Sequence, residues 1–212
     1  MRNNEQGRSM IEMLGVLAIV GVLSVGGIAG YSKAMNKFKT NKMGDQLQMI
    51  STNIRTLFSS QRTYTGLNNG MAIRAGLIPG EMYAQASKAS AYSSKYKITN
   101  AFGGDVTIEP TLQASADDDM AFLVTFEGIP QNACVSIATT DWGGDSGSGL
   151  AAMWIGAAKS TGDPLLKKTT ATIAPTANTH KPGHDAHGLP FSIVDANTAC
   201  ATDTNVAMWK YF

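Results

Sequence analysis

Two groups of residues in this 212-residue chain have the types and spacing that could do chemistry. Gly144-Asp145-Ser146-Gly147 sets a serine among small residues, as a nucleophilic serine segment does. Such a serine needs a histidine base within reach and an acid to orient that base. In the proteases that carry a segment of this kind the base comes before the serine. All three histidines here, His180, His184 and His187, come after it. The segment therefore reads as a Gly/Ser surface loop. It also lacks the Lys-Ser/Thr of a phosphate-binding loop, so no nucleotide and no other cofactor is expected.

The second group is His180, His184, His187 and Asp185, whose imidazole and carboxylate groups suit zinc or nickel. Lys181-Pro182-Gly183 and Gly188 break any helix that would align them, so exposed loop histidines are the favoured reading. Asp117-Asp118-Asp119 offers oxygen ligands, but the glycine turn and bidentate glutamate of a calcium loop are missing, which favours a solvated turn. Trp142, Trp154 and Trp209 read as core or loop anchors rather than stacking platforms. Neither a catalytic residue nor a metal site is expected. Cys134 and Cys200 stand too far apart for a CxxC redox or zinc motif. Outside the cytoplasm the pair means one disulfide, and in the cytosol two buried thiols.

What must position these residues is one domain with an appended element, by length. Hydrophobic residues make up 43% of the chain, which is globular rather than disordered. Seventeen basic against sixteen acidic residues leave a net charge of +1, so no global field draws in nucleic acid.

The appended element lies at the N-terminus. Met13 to Gly30 contains no charged residue. As a helix it would reach about 27 Å, close to the roughly 30 Å hydrocarbon core of a bilayer. A secretory signal peptide has a shorter apolar run and then a small-residue cleavage site. Here the apolar run leads into a further helical pattern, and Glu12 stands just ahead of it. A carboxylate at a membrane boundary is costly to desolvate and has a partner or a role. Arg8, four residues earlier, could pair with it within one helix. Met35, Phe38, Met43, Leu47, Ile50, Ile54 and Leu57 continue as one apolar stripe, flanked by Lys33, Lys37, Lys39, Lys42, Asp45 and Arg55. One helix is thus expected from about Arg8 to Ser60, apolar all round and then amphipathic. The glycines at 15, 21, 26, 27 and 30 allow close helix approach. The cluster Gly26, Gly27 and Gly30 is its expected weak point, since each glycine costs a helix about 1 kcal/mol in water.

Gly7-Arg8-Ser9-Met10-Ile11-Glu12-Met13-Leu14 resembles the processing site of type IV prepilins. In that family a short polar leader ends in Gly, and the mature chain has Glu at its fifth residue and then an apolar helix. Met1 to Gly7 matches the leader and Glu12 the glutamate. The resemblance implies cleavage between Gly7 and Arg8 and N-methylation of Arg8, although members usually begin the mature chain with Phe, Met or Leu. It also implies that Glu12 neutralises the terminal amine of a neighbouring subunit. Tyr64-Thr65-Gly66-Leu67 and Gly76-Leu77-Ile78-Pro79-Gly80 are similar to segments after the long helix in type IVb pilins, including those of conjugative thin pili.

The fold implied is α+β: a long N-terminal helix, transmembrane over residues 13–30, packed on an antiparallel sheet in a pilin-like roll. Residues 1–7 would be the leader, 8–60 the helix and 61–212 the head, with a disulfide joining Cys134 to Cys200 around a variable region. A short helix is expected at Met71 to Ala75. Strands are expected at Asp105 to Glu109, Met120 to Glu127 and Val206 to Phe212, with a weaker one at Phe191 to Val194. Pro130 to Ala138 is ambiguous by pattern; the resemblance favours a helix carrying Cys134.

The function implied is that of a structural subunit of a type IV pilus. The precursor would sit in the inner membrane with a single pass and its head outside the cytoplasm. It would then enter an extracellular homopolymer, with a prepilin peptidase, an assembly ATPase and a platform protein as partners. Filaments of this kind serve adhesion, twitching, DNA uptake or conjugation. Two rivals share parts of the pattern. A pseudopilin of a type II secretion system has the same N-terminus, but usually a smaller head and often no disulfide. A signal-anchored extracytoplasmic enzyme needs a catalytic constellation that this sequence does not present.

Overall fold

The computed structural model describes residues 5–83, 97–113, 119–143, 148–157, 165, 173, 175–183 and 186–212, with backbone alone for 5–9. The chain divides into two compact units, Met1–Lys39 and Thr40–Phe212. Helix α1, Glu5–Phe58, begins in the first and ends in the second. Among the described residues it is already helical at Glu5, three residues ahead of Arg8. It stops at Phe58, where Gln61 N–H turns back to the Phe58 carbonyl at 2.8 Å.

In the first unit the apolar side chains of α1 are open to the surroundings. Met10, Ile11, Leu14, Leu17, Ile19, Val22, Leu23, Val25 and Ile28 are all exposed, Val22 at 75%. Helical backbone continues through Gly26, Gly27 and Gly30, and open space surrounds each of these glycines. The Ser24 hydroxyl donates to the Val20 carbonyl at 2.7 Å, so its polar group is satisfied within the helix. This helix is long and apolar enough to cross a membrane, with a mean hydropathy of 2.2 over its most apolar window.

The second unit is built on a six-stranded antiparallel sheet. Its strands are β1 (Ile98–Thr99), β2 (Asp105–Thr111), β3 (Ala121–Ile129), β4 (Leu150–Gly156), β5 (Thr179–His180) and β6 (Asn205–Tyr211), in the order β1-β2-β3-β6-β4-β5. The C-terminal strand thus sits inside the sheet, with Phe122 opposite Tyr211 on one side and Leu150 opposite Tyr211 on the other. Side chains alternate along β6. Trp209 and Tyr211 join the larger core, where Met43, Leu47, Ile50, Ile54 and Phe58 of α1 cover the sheet. Val206 and Met208 join a smaller cluster on the opposite face with Leu123, Ala152, Leu165 and Ile173. Lys210 is fully buried, and its Nζ donates to the Leu165 carbonyl at 3.3 Å.

The stripe on α1 is therefore Met43, Leu47, Ile50, Ile54 and Phe58, with Gln46 and Ser51 also buried. Leu57 is 42% exposed, and Phe38, within the first unit, is 61% exposed. The expected stripe is one residue out at its end, because Phe58 rather than Leu57 continues the spacing of four from Ile50 and Ile54.

Among the described residues the unit also has four shorter helical pieces: α2 (Asn69–Arg74), a 3-10 turn at Gly80–Met82, α3 (Gln131–Ala138) and α4 (Ile193–Ala199). Asn68 caps α2 by accepting the Met71 N–H at 3.0 Å. Next to it, Asn69 donates to the Val106 carbonyl and accepts from Ile108 N–H, both at 2.8 Å, and so docks α2 on β2. The expected strand at Phe191 to Val194 is instead the approach to α4 and its first turn. The Ser192 hydroxyl accepts the Asp195 N–H at 3.1 Å, a helix cap that outweighs the β-branched pair Ile193-Val194.

Candidate functional site

The N-terminal residues singled out by sequence lie on α1. Gly7 and Arg8 have helical backbone, and their side chains lie outside the described residues. Glu12 is exposed and stands among the exposed apolar residues Met10, Ile11, Met13 and Leu14. Its carboxylate precedes a helix surface with no other charge until Lys33. A surface so large and apolar is stable only against lipid or against other apolar chains.

The head carries a lobe closed by a disulfide. Cys134 on α3 is bonded to Cys200, the residue that ends α4, with a Cα–Cα distance of 5.9 Å. Cys134 N–H also donates to the Pro130 carbonyl at 2.8 Å, and Cys200 N–H to the Ala196 carbonyl at 2.9 Å. Both sulfurs belong to buried residues of the larger core. The lobe is fixed further by Trp142, whose indole N–H donates to the Ile137 carbonyl at 2.9 Å while its ring meets Trp209 edge-on at 5.6 Å. Trp142 and Trp209 are core anchors, and Trp154 packs on the smaller cluster.

The histidines are not all exposed loop residues, which corrects the sequence reading. His180 is the second residue of β5 and is 1% exposed. Its ring stacks on Phe191 at 3.5 Å, and Nδ1 lies 2.7 Å from the Gly188 carbonyl. His187 meets it edge-on, with ring centroids 5.3 Å apart. Asp195 of α4 completes the group, with one carboxylate oxygen 3.7 Å from Nε2 of His180 and 3.7 Å from Nδ1 of His187. Burial holds the His180 pKa below the usual imidazole value, against the opposing pull of the Gly188 carbonyl and Asp195. The His180 ring is thus mostly neutral at pH 7, so its contact with Asp195 is not a salt bridge. His184 and Asp185 lie outside the described residues. The acid that meets the histidines is Asp195, brought by a helix whose first residues have the composition of a strand.

Gly144-Asp145-Ser146-Gly147 and Asp117-Asp118 also lie outside the described residues. Asp119 holds the segment after α1 in place. Its carbonyl accepts Tyr64 N–H at 2.7 Å, and its carboxylate accepts the Thr65 hydroxyl at 3.2 Å. It adopts φ 41°, a left-handed conformation that Asp tolerates better than most residues.

Comparison with known proteins agrees with this arrangement. The family model described as PilS N terminal matches residues 37–209, most of the chain. The major structural subunit of the bundle-forming pilus of Escherichia coli O127:H6 (strain E2348/69 / EPEC) is 27% identical over 139 residues. The subunit of the same description from Escherichia coli O111:H- is equally similar. Each match covers 66% of this chain and 66% of the relative, just under two thirds of its length. Among solved structures, TcpA, a type IV pilin from Vibrio cholerae El Tor biotype, aligns with a TM-score of 0.51 and 16% identity, over 82% of this chain and 99% of that one. A type IV b pilin from Salmonella typhi aligns with a TM-score of 0.48 and 20% identity, over 81% and 97%. The chain belongs to the PilS family and has the α+β fold of a type IV pilin.

Proposed function

We propose that the chain is a structural subunit of a type IV pilus, which works by assembly rather than by catalysis. The observation that carries this is the first unit of α1: an apolar helix surface, exposed throughout, with Glu12 at its start. Membership of the PilS family and likeness to bundle-forming pilus subunits support the same reading. The helix would hold the precursor in the inner membrane and then bundle with other copies once the subunit leaves the lipid. Both environments hide the same apolar surface, so transfer from one to the other costs little hydrophobic free energy.

In this reading a prepilin peptidase cuts between Gly7 and Arg8 and methylates the new amine of Arg8. An assembly ATPase and a platform protein then drive growth. Glu12 pairs with the terminal amine of a neighbouring subunit, since bundling removes the water that solvates it in an exposed helix. The Cys134–Cys200 lobe presents the outward loops. The disulfide and the PilS match favour a pilin over a pseudopilin of a secretion system.

The test is to shear surface filaments from cells that express the chain and to identify their main subunit by mass spectrometry. A mature chain that begins at Arg8, heavier by a methyl group, is expected. Filaments that contain the chain with Met1 intact would refute the processing step, and filaments that lack the chain would refute the subunit role.

A further inference from the structure

We infer that His180, His187 and Asp195 form a binding site for a zinc-type divalent ion, which clamps β5 to α4 in the disulfide-bounded lobe. The three residues each offer one ligand atom, and these atoms lie within 4.8 Å of one another. Zinc takes imidazole nitrogen at about 2.0–2.1 Å and carboxylate oxygen at about 2.0–2.2 Å, which sets tetrahedral ligands roughly 3.3–3.5 Å apart. The Asp195 oxygen is 3.7 Å from the ring nitrogen of each histidine. A shift of a few tenths of an ångström closes both pairs. The remaining pair lies within 4.8 Å and would close by rotation of the His187 ring, whose side chain is 28% exposed.

The surroundings are those of a ligand set. A metal-bound histidine characteristically uses its second nitrogen to donate to a carbonyl, which fixes the tautomer and aims the first nitrogen at the ion. His180 Nδ1 lies 2.7 Å from the Gly188 carbonyl, so it carries the proton and leaves the lone pair on Nε2. Nε2 is buried, makes no hydrogen bond and points at the Asp195 carboxylate. A buried nitrogen without a partner costs free energy, and a cation shared with that carboxylate removes the cost. Stacking on Phe191 holds the ring plane, and the Ser192 hydroxyl donates to the same Asp195 oxygen at 3.0 Å.

Three protein ligands leave a fourth position, which water can fill from the side where His187 and Asp195 meet solvent. The ion would link the end of β5 and the segment after it to α4, the helix that ends in Cys200. Its effect would be to rigidify that lobe. This inference does not depend on the pilus reading, because it concerns the head alone.

The experiment uses the untagged full chain in detergent micelles, stripped with a chelator and titrated with zinc chloride by calorimetry. Cobalt substitution gives an independent absorption signature of a tetrahedral site. One zinc per chain is expected, with a rise in melting temperature. His187→Ala and Asp195→Asn should each weaken binding by more than about 100-fold, beyond the 10–100-fold that follows loss of an outer partner. Both residues are partly exposed, so these variants should keep the fold, which circular dichroism and an intact disulfide would verify. His180→Ala is the less safe variant because its ring is part of the packing. Absence of saturable zinc binding in the parent would overturn the inference. Binding of unchanged strength in both variants would also overturn it, by showing an adventitious ion only.

Discussion

The guanidinium of Arg55 donates from Nη1 to the carbonyl of Ser148 at 2.6 Å, so the last turn of α1 is tied to the entry of β4. The same group lies against Gly149, where a Cβ would come within 2.8 Å of the guanidinium carbon. Gly149 adopts φ +70° and accepts Phe212 N–H at 2.9 Å, so helix, strand entry and C-terminus meet at one point. Arg55→Ala should destabilise the head by about 1.5–3 kcal/mol, the range for a hydrogen bond to a charged group. Urea unfolding of the full chain in detergent would measure it, and a midpoint equal to the parent's would dismiss the contact as idle.

A second close approach joins β2 and β3. A Cβ on Gly104 would collide with the Glu127 carbonyl, which already accepts Asn100 Nδ2 at 2.7 Å. Gly103 beside it has open space but φ +84°. Gly103→Ala should cost about 1–2 kcal/mol of left-handed strain. Gly104→Ala should cost more, because the backbone of two strands must separate. The same unfolding assay ranks them, and the reverse order would show that the sheet edge yields more easily than its packing implies.

Much of this is legible in the chain and some is not, for physical reasons. The uncharged run from Met13 to Gly30 lies on one helix that is apolar all round there. The spacing of Met43, Leu47, Ile50 and Ile54 falls on one buried face of the same helix, so both survive translation into structure. Strand β4, Leu-Ala-Ala-Met-Trp-Ile-Gly, escapes sequence reasoning. It is covered on both faces and so shows no alternation, which leaves a buried strand and a buried helix indistinguishable by period. The cap Ser192-x-x-Asp195 is present in the sequence as a helix start. The strand composition of Ile193-Val194 masks it, although those two residues are 70% and 74% exposed. With that helix goes the position of Asp195, and with Asp195 the histidine cluster.

The disulfide should be tested next. Cys134 and Cys200 enclose a long loop that the chain-entropy model values at roughly 4 kcal/mol. Cys200→Ser should lower stability by about 2–5 kcal/mol. Thiol labelling of filament-derived protein under denaturing conditions should find no free cysteine. Two reactive thiols in folded, exported subunits would show that the lobe holds without its bond.

Glu12 is where the helix surface and the proposed assembly meet. In a single chain it is exposed, and water or lipid headgroups solvate its carboxylate. When apolar helices bundle, that solvation is lost, and removal of one partner of a buried ion pair costs about 3–5 kcal/mol. The partner inferred is the terminal amine of a neighbouring Arg8. Glu12→Gln should leave membrane insertion, cleavage after Gly7 and the fold of the head unchanged, while filament yield collapses. Arg8→Ala keeps the terminal amine and removes only the guanidinium, so it should assemble nearly as well as the parent. Immunoblots for cleavage and electron microscopy of sheared filaments separate the two variants. If Arg8→Ala, normally cleaved, assembles as poorly as Glu12→Gln, then the guanidinium rather than the amine is the partner. The pairing would then be one within a helix, four residues apart, and the account of Glu12 as the partner of a neighbouring subunit's amine would be wrong.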